Sequence, residues 1–157
     1  MIQNMKFRYL MISVCFLVGC GSGILDVQSS KFSTARKRIA FLRKRMVMFS
    51  EIQDTIFDLY DVNGKFSLGI PGPSHWDFKV IMRVKQHDLP KWVDGFEQIH
   101  NPEEELLQWG YKLLQGQPGW TVRSTPSVYE RPNETEGEVI VAIFEEEEIV
   151  FKRIHHW

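Results

Sequence analysis

Residues 139–144 (VIVAIF) and 149–154 (IVFKRI) are two apolar runs held apart by four acids, Glu145, Glu146, Glu147 and Glu148. The first run is continuous, the pattern of a strand buried on both faces. The second reads as its partner, and the acids fall at the tip of a hairpin and on its flanks. Upstream, Phe78, Val80, Met82 and Val84 alternate with Lys79, Arg83 and Lys85. That period of two marks a half-buried strand with one charged face. These runs commit the chain to a sheet.

Helical signals surround them. From Thr34 to about Tyr60, Ile39, Leu42, Met46, Phe49, Ile52, Ile56 and Leu59 recur every three or four positions, which predicts a helix. Ser33 or Thr34 is its expected cap, and Asn63-Gly64 its closing turn. Residues 69–74 (GIPGPS) read as a rigid, turn-rich linker. Asp88, with Pro90 in the first turn, predicts a short helix carrying Trp92, Val93, Phe96 and Ile99. Asn101-Pro102 followed by three glutamates predicts another, with Leu106, Leu107, Trp109, Leu113 and Leu114 inward and Gly116 as its stop. A turn at 117–120 leads to a weak strand at 121–123. Residues 125–137 read as loop, broken at Pro126, Pro132 and Gly137. The expected class is α+β: a small antiparallel sheet with a C-terminal hairpin, and helices packed on one face. The repeated rhythm of a doubly wound parallel sheet is absent, and 157 residues suit one domain.

The N-terminus reads differently. Lys6 and Arg8 precede an apolar run from Tyr9 to Val18, interrupted only by Ser13. About ten apolar residues are too few to span a bilayer, which takes about 20, but they suit the core of a secretory signal. The run closes on Leu17-Val18-Gly19-Cys20. This resembles the lipobox of bacterial lipoproteins, L-[AVI]-[GA]-C, at all four positions, and the resemblance covers about the first 20 residues. It implies cleavage between Gly19 and Cys20, with Cys20 carrying S-diacylglycerol and N-palmitoyl groups. Several acyl chains anchor stably where one is marginal. Gly21, in place of an aspartate, implies sorting to an outer membrane, with the protein facing the periplasm. The organisation so implied is a signal peptide over 1–19, a lipidated tether over 20–33 and a single α+β domain over 34–157. Cys15 leaves with the signal, so no disulfide or free thiol remains.

Removing residues 1–19 leaves 17 basic against 20 acidic side chains, a net charge of −3. A globally basic nucleic-acid binder is excluded, and no nucleic-acid partner is expected. The charge is uneven. Arg36, Lys37, Arg38, Arg43, Lys44 and Arg45 cluster near the tether with no acid among them, a candidate contact for anionic headgroups. From Gln86 onward, 14 acids face 6 bases. Trp76 and Trp120 stand beside turns, and with Glu145, Glu146, Glu147 and Glu148 they form a candidate binding surface.

Catalytic patterns are missing. His75, His87, His100, His155 and His156 lack zinc-motif spacing. No nucleophile elbow, phosphate loop or dinucleotide fingerprint occurs. No catalytic residue, metal or cofactor is therefore assigned. The expected role is non-enzymatic binding at the cell envelope, with a membrane reached through the lipid and an envelope or toxin protein as partner. One alternative is an immunity-like inhibitor of a basic toxin. Another is a small periplasmic hydrolase using His75 and Asp77.

Overall fold

The alternation at 78–84 does form a strand, and six others join it. The computed structural model describes residues 24–62, 75–131 and 137–156. Within them one sheet contains β1 (Ile24–Gln28), β2 (Ile52–Val62), β3 (His75–Val84), β4 (Glu97–Gln98), β5 (Ser127–Arg131), β6 (Glu138–Phe144) and β7 (Ile149–His156). Their order is β1-β2-β3-β7-β6-β5-β4, and every neighbouring pair is antiparallel. Two helices, α1 (Ala35–Leu42) and α2 (Gln108–Leu114), join three 3-10 segments, Ser29–Lys31, Gln86–Trp92 and Glu104–Leu107. The architecture is α+β with the sheet dominant, and the C-terminal hairpin is present, Phe144 pairing with Ile149.

The helices do not share one face. Leu42 of α1, Leu89 and Trp92 pack with Phe57, Phe78, Val80, Met82 and Val150 on one side. Leu107 and Leu114 pack with Ile56, Ile81, Ala142, Phe144 and Phe151 on the other. The cause lies in the strands. Val80, Ile81 and Met82 are buried in succession, as are residues 140–144, so both faces of the central sheet are apolar and each requires a cover. On the α2 side the approach is close: a Cβ at Gly110 would collide with the Phe151 ring.

Other expectations need correction. The helix expected over 34–60 stops at Arg43, and Ile52–Val62 is strand β2. Its burial explains the misreading, because Thr55, Ile56 and Phe57 are all buried. A strand covered on both faces is dense enough in apolar residues to satisfy a helical spacing as well. Ile24–Gln28 is an edge strand paired with Asp58 to Val62, not part of a flexible tether. The expected loop at 125–137 contains β5, whose ends fall between Pro126 and Pro132. Proline lacks the ladder donor and sits at strand boundaries, so the breakers marked the limits of a strand. Residues 121–123 are not a strand, and Phe96 and Ile99 lie outside any helix. The Asn63-Gly64 turn, the 69–74 linker and the lipobox lie outside the described residues.

Candidate functional site

Side chains from four strands floor a cavity of about 730 Å3, within the range that holds a small ligand. Register builds the floor: Phe78 lies opposite Ile154, Ile154 opposite Val139, and Val139 opposite Arg131. Trp76 lies in the row on one side, opposite His156 and stacked on its ring at 5.6 Å. Lys152 lies in the row on the other side, between Val80 and Val141. Residues 43–49, the chain that follows α1, form the roof, and Phe96 completes the wall.

Local contacts fix that roof. Thr34 caps α1 by accepting the Lys37 amide, and Phe41 stacks on Phe57 at 5.4 Å. The Arg45 and Met46 amides close the last turn on the Leu42 carbonyl. Beyond it the chain alternates. Met46 and Met48 pack against the core, while Val47 and Phe49 remain exposed, at 70% and 37%. Trp92 donates its indole N–H to Ser50 Oγ at 2.9 Å, and Phe49 meets Trp92 edge-on.

The electrostatics are one-sided. Arg43, Lys44, Arg45, Arg131 and Lys152 line the cavity, and no described lining residue is acidic. Lys152 is only 6% exposed. Its ammonium lies 4.8 Å from the Phe49 ring centroid and 5.8 Å from that of Trp92. Among the described residues no carboxylate pairs with it. Burial, with the Arg131 charge nearby, pushes its pKa down to about 8. Arg131 itself donates to the Asp94 carbonyl and lies over Phe96. A buried cation beside two aromatic rings and a second cation is electrostatically suited to an anion.

The candidate residues read from the sequence are distributed unevenly around this site. Arg43, Lys44 and Arg45 line it, Arg45 with its guanidinium 3.6 Å from the Phe41 ring centroid. Arg36 and Lys37 are exposed on α1, whereas Arg38 is held by Asp54 at 2.6 Å and is lost to any headgroup. Trp76 lines the cavity, but Trp120 packs in the opposite core, under Arg83 at 5.0 Å. The two tryptophans therefore share no surface. Nor is the acidic turn uniformly free. Glu147 accepts the Arg123 and Ser124 amides and the Ser124 hydroxyl. These bonds hold its carboxyl below the ordinary value. Glu148 accepts from the Gln86 amide, which leaves Glu145 and Glu146 exposed.

The histidines are also partly gathered, on the other side of the sheet. His75 meets His155 edge-on at 5.3 Å, and His155 Nδ1 lies 3.8 Å from Asp77 Oδ1, beyond hydrogen-bond reach. Arg153 grips both Asp77 oxygens, at 2.8 and 3.1 Å, and Lys79 adds a contact at 2.9 Å. Burial acts to raise the Asp77 carboxyl, but the hydrogen bonds and charges of Arg153 and Lys79 outweigh it and hold the pKa below the ordinary value. His87 stands apart, its side chain 73% exposed and 3.6 Å from Asp88. Among the described residues no group of three His, Cys, Asp or Glu side chains is placed to hold a metal ion.

Comparison with family models, curated proteins and solved structures yields no match for this chain. The cavity therefore rests on its own geometry. Sequence reasoning passed over its two floor cations. A signal for Lys152 was present: in a strand over 149–154, period two puts it on one face with Val150 and Ile154, a charge among apolar neighbours. Arg131 carried none, because its strand was read as loop.

Proposed function

We propose that this protein is a non-enzymatic, lipid-anchored binding protein of a bacterial envelope. Its cavity beneath residues 43–49 holds an apolar molecule that carries an anionic group. One observation carries the binding role: Lys152, almost fully buried, opens on an apolar space lined by cations and by no described acid. An anion there restores the charge balance that the fold itself leaves open, and the aromatic and aliphatic walls bind its apolar body. The anchor rests on Leu17-Val18-Gly19-Cys20 following an apolar run, and the glycine at 21 supports an outer-membrane, periplasm-facing location.

Displacement of a fluorescent anionic naphthalene sulfonate by chain-matched competitors tests the site. Dodecanoate should displace the probe, while the equivalent trimethylammonium cation should not. Lys152→Met should weaken dodecanoate about tenfold or more, the loss of one charge-assisted contact. Equal competition by both ions would remove the reading. The anchor is tested separately: labelled palmitate should enter the wild type and not Cys20→Ala.

A further inference from the structure

We infer that residues 43–49 form a lip that seats the cavity mouth on an anionic bilayer, and that the ligand is a single-chain anionic amphiphile drawn from that bilayer. The inference rests on the cavity reading above and adds to it a source and a route. Val47 is the most exposed large apolar side chain among the described residues. One exposed valine alone carries little meaning, but this one projects from the cavity roof between inward-facing Met46 and Met48. Arg43 and Lys44 flank it, exposed and without acidic partners among the described residues. Arg36 lies two helical turns before Arg43 and so on the same face of the helix. An apolar tip preceded by exposed cations can insert at a headgroup boundary and be held there by surface potential.

Charge complementarity selects the occupant. The protein beyond residue 19 is net negative, so an anionic membrane repels it as a whole while attracting this basic edge. The cations then continue inward from rim to floor, through Arg45 to Arg131 and Lys152. An anionic head leaving the bilayer thus meets positive charge along its path, while its chain meets Phe78, Val139 and Ile154. A molecule with one chain matches the cavity volume of about 730 Å3, which lies in the small-ligand range.

The test uses residues 20–157 with Cys20→Ala, a chain that retains every described element while removing the acyl anchor. It is mixed with phosphatidylcholine vesicles, with or without phosphatidylglycerol, each carrying labelled oleate. Sedimentation reads docking, and label remaining on protein after vesicle removal reads loading. Docking should strengthen about tenfold or more with phosphatidylglycerol and weaken with salt. Val47→Asp should abolish docking, and Arg36→Glu, exposed on α1 and outside the cavity lining, should weaken docking and loading several-fold while leaving binding of dissolved dodecanoate unchanged. Lys152→Met should dock as wild type yet carry several-fold less oleate. Docking of Val47→Asp equal to wild type would overturn the lip. Dodecanoate binding without any loading from vesicles would overturn the membrane source and leave the cavity reading standing. Failure of dissolved dodecanoate to bind would remove both.

Discussion

Replacing Lys152 with methionine is expected to stabilise the unliganded protein at neutral pH. The ammonium of Lys152 lies by the Phe49 and Trp92 rings, and methionine can fill much of the same buried space without a charge. The folded protein holds the lysine near pKa 8 against an ordinary 10.5. At about 1.4 kcal/mol per pH unit, keeping it protonated in the folded state costs about 3 kcal/mol. The variant is therefore expected to be more stable by about 3 kcal/mol near pH 7. The sign follows from the depressed lysine. The unfolded chain binds the proton more tightly, so this group's penalty is fully present below pH 8 and fades as pH rises toward 10.5. Urea unfolding of both proteins at several pH values gives the comparison, and groups common to both cancel in the difference. The gap should shrink by about 2 kcal/mol between pH 7 and pH 10. A variant less stable than wild type near neutrality, or a gap that ignores pH, would refute the claim that the cavity holds an uncompensated cation. The substitution that stabilises should also weaken anion binding, the exchange expected when a site keeps an unfavourable charge for its ligand.

Three other outcomes test the frame around the site. Gly110→Ala should destabilise by about 1–3 kcal/mol in a thermal melt, because its methyl group meets the buried Phe151 ring. Asp77→Asn should lose about 1–2 kcal/mol near neutral pH by removing the negative charge and one of the two oxygens that Arg153 and Lys79 share. Since the Asp77 pKa is depressed in the fold, its stabilisation is present above the ordinary aspartate value and lost as pH falls, so urea titrations of the two proteins should converge in acid. Glu147→Ala should speed amide exchange at Arg123 and Ser124, whose N–H groups it accepts, while amides in β3 should be unaffected.

The legible parts of the fold were those whose pattern is local. Strand β3 showed in the alternation around Phe78 and Val84, and β6 and β7 in two apolar runs split by acids. The end of α2 showed at Gly116, which adopts φ +73 and leaves the helix at little cost. Strands β2 and β5 failed the same reading for opposite reasons. Apolar burial on both faces of β2 masked its period, and in β5 only Val128 and Tyr129 stood between flanking prolines. Strand β1 was hidden by its small, polar neighbours and by its place behind a signal-like segment.

The residue order alone thus settles an antiparallel hairpin sheet, the uneven charge along the chain and the lipobox resemblance. These are properties of neighbours in sequence, and short-range periodicity and chemistry encode them. The cavity is of another kind. It exists because β7 inserts between β3 and β6, bringing Lys152 beside Val80 and Val141 and letting the chain after α1 close over them. Such pairings are decided by how two apolar sheet faces find their covers, a balance taken over the whole chain. No window along the sequence contains it, and the floor cations became visible as a site only when the strands were in register.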